Sequence, residues 1–193
     1  MTTGIQFDES RHAYSVDGQP YASVTQVIAA AGLYGDATQY FTDRSRDRGR
    51  FVHRAIELYL LGKLDESTID PDLRGYFDAY LAFEKDTVFY PGFIEHTLYS
   101  IPLQVAGRVD LIGPWKGGAA ILDIKTSATV SPVTGIQLAG YEYLFGSPAK
   151  RFALHLGAEG KYRLIEFSDR ADRGVFLAAC TLYNWKLNNL KGG

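Results

Sequence analysis

Ile121-Leu122-Asp123-Ile124-Lys125-Thr126 alternates as a short strand does: Leu122, Ile124 and Thr126 fall to one side, Ile121, Asp123 and Lys125 to the other. A carboxylate and an ammonium two residues apart on a strand that packs on a core are costly unless they pair or bind something. A second apolar run, Val105-Ala106-Gly107-Arg108-Val109-Asp110-Leu111-Ile112, precedes it and holds Asp110 between Val109 and Leu111. A turn within Gly113–Gly118 joins the two runs into a hairpin and sets Asp110 beside Asp123. Two neighbouring carboxylates repel, and their natural partner is a divalent cation. The bland alternative, a semi-buried ion pair with Lys125, leaves one carboxylate without a partner.

The rest of the chain builds outward from this hairpin. Upstream, Phe93–Ser100 reads as a strand with Glu95 in its interior, where an unpaired glutamate is rarely found. Downstream, Ser131-Pro132 starts a helix over 133–145 that Gly146 stops, and Gln137 and Tyr141 share one of its faces. Strands over 151–157 and 162–167 and a closing helix over 171–190 follow. At the N-terminus, 5–7, 12–16 and 19–22 read as short strands around the turn Asp17-Gly18, with Pro20 confining its strand to an edge or to a very short length. Ser23 caps a helix over 24–31, and Asp70 and Pro71 open another over 71–83. Between them, Tyr34, Tyr40 and Phe41 sit in a polar loop where they can pack or stack on a base.

A long helix ends at Gly62. Its wheel gives a buried face of Phe51, Val52, Ala55, Ile56, Leu58 and Tyr59, and an opposite stripe of Arg46, Gly49, Arg50, His53 and Glu57. Five arginines between Arg44 and Arg54 make it the most basic segment. His53 on that stripe is either a solvated residue or, if the stripe meets the carboxylates, a metal ligand; Arg46 and Arg50 are then placed to hold phosphate.

The 193 residues suit one domain over 1–193, with a hairpin and helical region to residue 86 and a catalytic sheet with helices over 87–190. A single cysteine, Cys180, excludes a disulfide framework and any four-cysteine zinc or iron–sulfur site within the chain. No apolar run approaches the length of a membrane span and no secretory leader is evident, so the expected location is cytoplasmic, with no membrane partner. The net charge of −2 speaks against a protein that coats nucleic acid non-specifically, but not against a nuclease, whose metal site is itself acidic. No Gly-x-Gly-x-x-Gly follows a strand, and no phosphate-loop motif is present.

Taken in order, Gly49–His53, Phe93–Glu95, Gly107–Asp110, Asp123–Lys125 and Gln137–Tyr141 resemble the motifs of the PD-(D/E)XK nuclease superfamily, in its RecB-like exonuclease branch. That resemblance implies a mixed α/β (α+β) fold, a restriction-endonuclease-like core whose central mixed sheet is flanked by helices, with an N-terminal helical wall. It implies Asp110, Asp123 and the Ile124 carbonyl as ligands of Mg²⁺ or Mn²⁺, one ion or two, with His53 in the shell and Glu95 assisting. Lys125 is implied to orient or deprotonate the attacking water, and Gln137 and Tyr141 to engage DNA. The expected activity is exonucleolytic hydrolysis of single-stranded or end-exposed DNA to 5′-phosphates. The alternatives are a structure-specific endonuclease with the same site and a non-catalytic nucleic-acid-binding subunit.

Overall fold

A computed structural model of the chain describes residues 4–8, 11, 13–35 and 42–190. Three short strands come first: β1 (Ile5–Asp8), β2 (Ala13–Val16) and β3 (Gln19–Ser23). Asp17 and Gly18, both with positive φ, make the tight turn between β2 and β3. Helix α1 (Val24–Ala30) starts in a full capping box: Ser23 Oγ accepts from the Gln26 N–H, and the Gln26 side chain accepts from the Ser23 N–H. Next come α2 (Asp43–Leu60), capped by Thr42, and α3 (Pro71–Thr87), capped by Asp70. The remaining elements are β4 (Phe93–Ser100), β5 (Val105–Trp115), β6 (Gly118–Lys125), α4 (Val133–Phe145), β7 (Ala149–Leu156), β8 (Tyr162–Glu166) and α5 (Ala171–Asn189). Tyr40, Phe41 and His12 lie outside the described residues.

All eight strands join one mixed sheet in the order β1-β2-β3-β5-β6-β7-β8, with β4 paired to β5 off this path. Neighbours are antiparallel except at β3–β5 and β6–β7, which run parallel. The β5–β6 turn shrinks to Lys116-Gly117, because both strands continue into the glycine-rich segment. Pro20 lies in a strand of five residues that is not on the outer edge: β3 sits between β2 and β5. It meets β5 only at Ala22 and Ser23, so the proline stands where that side of the strand is unpaired.

The alternation along β6 divides the core. Leu122 and Ile124 pack with Val52, Ile56, Phe77, Tyr80 and Phe83 under α2 and α3. Ile121 packs with Val27, Ile28, Leu138, Phe176 and Cys180 under α1, α4 and α5. The expected buried face of α2 holds at Val52 and Ile56 but fails at Phe51, which is 51% exposed with the Arg50 guanidinium over its ring. Phe51 lies far enough round the helix from Ile56 to clear the sheet. None of the described helices is long and apolar enough to cross a membrane.

Candidate metal and phosphodiester site

The site opens where β5 and β6 part. Their pairing runs from Trp115↔Gly118 to Leu111↔Leu122 and stops one step short of Asp110 and Asp123. Both aspartates are buried, at 8% and 4% exposure. Freed from the ladder, the Ile124 N–H donates instead to Asp110 Oδ2 at 2.6 Å. Two linked clusters form around this split.

The first lies toward α2. His53 Nδ1 is 3.4 Å from Asp110 Oδ1 and 3.8 Å from Glu95 Oε1. One ligand atom from each of His53, Glu95 and Asp110 lies within 4.8 Å of the others, a donor set able to hold a cation. His53 Nε2 donates to the Ile124 carbonyl at 3.0 Å, since a carbonyl only accepts. That bond fixes the ring and leaves Nδ1 turned to the carboxylates, as the outer hydrogen bond of a metal-binding histidine does. Glu95 has φ of +47°, a left-handed conformation within a strand. For a side chain other than glycine this costs about 1 kcal/mol or more and requires support from the surroundings. The Glu95 side chain is paired with Arg108, whose Nε lies 2.8 Å from Glu95 Oε2 and whose guanidinium stacks over Phe7 and approaches Glu57.

The second cluster lies toward α4. Lys125 Nζ is 2.6 Å from Asp123 Oδ2. The Gln137 amide donates to Asp123 Oδ1 at 3.1 Å and to the Tyr141 hydroxyl at 3.0 Å, and its oxygen accepts from Lys125 at 3.4 Å. Tyr141 reaches this point across β5 because residue 107 is glycine; a Cβ there would lie 2.7 Å from the tyrosine ring.

Burial and charge act on each group in a defined direction. Burial alone would drive the His53 proton off, but Asp110, by charge and hydrogen bond, and then Glu95 outweigh it and hold the imidazole well above its usual value. Burial likewise opposes ionisation of Asp110, yet His53, the Ile124 N–H and Lys125 hold it below the carboxylate range. Burial lifts Asp123, helped by the charge of Asp110 and resisted by Lys125. Burial also lifts Glu95. It works against the charge on Lys125, but the Asp123 pair prevails and raises the ammonium above its ordinary value.

The structure therefore brings together His53, Glu95, Asp110, Asp123, Ile124 and Lys125, with Gln137 and Tyr141 behind them. Gln137 and Tyr141, expected to engage DNA, are 9% and 6% exposed; Gln137 bonds Asp123 and Lys125, and the Tyr141 hydroxyl accepts from the Gln137 amide. Arg46 is exposed; Arg50 is exposed and paired with Asp47 at 3.2 Å. Three residues carry site geometry that sequence reasoning gave no role. Arg108 had a signal, standing two positions before Asp110 on one strand. Arg48 donates to the Thr126 carbonyl at 3.0 Å, and His155 Nε2 to the Ser127 carbonyl at 2.6 Å. Bonds to backbone carbonyls leave no mark in sequence.

No family model and no curated protein matches the sequence. Solved structures do. A candidate exonuclease from Eubacterium rectale superposes with a TM-score of 0.58 at 14% identity, over 90% of this chain and 83% of that one. LHK-Exo, solved in complex with dAMP, aligns with 89% of this chain and 94% of its own at 13% identity and a TM-score of 0.41. What the first likeness establishes is the fold: a mixed sheet with helices on both faces.

Proposed function

We propose that this chain is a divalent-cation-dependent deoxyribonuclease, most simply an exonuclease that hydrolyses single-stranded or end-exposed DNA to 5′-phosphates. One observation carries the reading: a three-residue donor set (His53, Glu95, Asp110) and a buried Asp123–Lys125 pair meet where two strands part. A purely structural ion-pair network has no need of a third carboxylate, or of a glutamate kept in a strained backbone conformation.

The donor set is mainly oxygen with one imidazole, which fits Mg²⁺ or Mn²⁺. His53, Glu95 and Asp110 would hold the ion, and Asp123 lies near enough for the Asp110 charge to act on it. When bound, such an ion neutralises charge on the nonbridging phosphate oxygens and favours attack by water. The protein groups divide the remaining work. Lys125, kept as an ammonium by Asp123, serves as a hydrogen-bond donor that orients the attacking oxygen or a phosphate oxygen, and its raised pKa favours that role over deprotonation. Gln137 holds Lys125 and Asp123 in register through its two ends. Arg46 and Arg50, on the exposed side of α2, supply phosphate contacts.

End-labelled single- and double-stranded DNA, with blocked 5′ or 3′ termini and a covalently closed circle, incubated with each cation, tests the proposal. Digestion from free ends with the circle spared is the expected outcome. Opening of the circle would reassign the site to an endonuclease, and binding without cleavage under every cation would leave a binding subunit.

A further inference from the structure

Beyond Leu122 the edge of β6 that faces β5 has no strand beside it among the described residues, while its other edge stays paired with β7 as far as Lys125↔His155. Buried backbone groups left without partners cost as much as a lost hydrogen bond, and here side chains replace the missing strand. Asp110 takes the Ile124 N–H, His53 serves the Ile124 carbonyl, and Arg48 serves the Thr126 carbonyl. The two carbonyls are one strand repeat apart, about 6.7 Å. His53 and Arg48 are five residues apart on α2, a rise of about 7.5 Å. From these two positions α2 reaches the Ile124 carbonyl and the Thr126 carbonyl just past the end of β6, the strand that carries Asp123 and Lys125.

Arg48 is committed to this grip. Its guanidinium lies over the Tyr76 ring of α3 at 5.4 Å, and its buried Nε has no hydrogen-bond partner among the described residues, so the Thr126 carbonyl is the acceptor the side chain reaches. The neighbouring Gly49 stands so close that a Cβ would touch Thr126 Oγ1 at 3.6 Å. Arg44 and Arg50, by contrast, are exposed on the same helix. We infer that Arg48 is a positioning residue: through the Thr126 carbonyl it sets the register of α2 on β6, and with it the placement of His53, without contacting DNA phosphate itself. The part concerning DNA rests on the nuclease reading; the register does not.

Wild type, Arg48→Met, Arg48→Lys and Arg50→Ala separate the possibilities. Methionine retains the stem that packs on Tyr76 and removes every donor, so it tests the hydrogen bond with the least risk to folding. Amide exchange in the cation-free protein is expected to quicken at least tenfold over residues 44–53 in Arg48→Met, and less in Arg48→Lys. The cation concentration for half-maximal cleavage is expected to rise about tenfold, with kcat lowered, KM for DNA unchanged and partial rescue by lysine. In cation-free buffer the slope of log affinity against log salt should match wild type for Arg48→Met. A lost phosphate contact, the behaviour expected of Arg50→Ala, flattens that slope by about 0.7–0.9. A flattened slope with unaltered exchange in Arg48→Met would overturn the inference. If wild type neither binds nor cuts DNA, the nuclease reading fails, and exchange over residues 44–53 still decides the register.

Discussion

Lys125 and His53 carry charge for the same reason, a carboxylate close enough to outweigh burial, and each leaves a measurable trace. Under the proposed function, Lys125→Ala removes the ammonium assigned to orient the attacking oxygen. Turnover should fall by about a hundredfold or more, while DNA affinity stays within about threefold. Because Lys125 is 26% exposed, losing the pair should cost about 2 kcal/mol, less than a fully buried pair would. Turnover of the variant at the wild-type rate would contradict the assignment. For His53 the sign follows from its raised folded pKa. In the cation-free protein its contribution to stability is complete below the unfolded value of about 6.5 and is lost as pH rises through the folded value. A cation on Nδ1 must displace that proton, so Mn²⁺ should bind more tightly as pH rises and release protons on binding. Calorimetric titration in buffers of different ionisation enthalpy reads the release; pH-independent affinity with no release would remove His53 from the ligands. Asp110, Asp123 and Lys125 were legible in the sequence because a charge inside an apolar strand stands out. Arg48 and His155 were not, since their partners are main-chain carbonyls that every residue possesses.

At the scale of elements, one helix and one strand meet at the open edge beside Glu95 of β4 and Asp110 of β5. β6 provides Asp123 and Lys125 and runs past the end of its pairing with β5, and α2 closes the open edge with His53 and Arg48. On the same face, α3 crosses the β7–β8 turn at Gly75, where a Cβ would overlap the Ala158 carbonyl. Gly75→Ala must therefore push α3 away from that backbone, and thermal or urea unfolding should show a loss of about 1–3 kcal/mol. An unchanged midpoint would mean that the helix rides more loosely than its position implies. Periodicity located most elements to within a few residues, because apolar spacing follows the burial that makes them. It misplaced Phe51, since a wheel gives the angle between residues but not the breadth of the surface a helix covers. The strained backbone at Glu95 carried no signal either, as a glutamate is an unusual residue for positive φ.

In the whole molecule, the N-terminal hairpin and the later strands are one sheet, so Phe7 of β1 comes to cover Arg108, which in turn holds Glu95. The resemblance implies a mixed sheet, but alternation does not say that β3 joins β5 and β6 joins β7 in parallel, because it shows which face is buried and not which neighbour is chosen. At one end of β6 the fold gathers a donor group able to hold a cation, with a basic helix beside it. The central claim is that a divalent ion sits there. Crystals grown with MnCl₂ and measured at the manganese edge test it directly: an anomalous peak bonded to Asp110, Glu95 and His53 Nδ1 is predicted, and a map without a peak among those three side chains would contradict it.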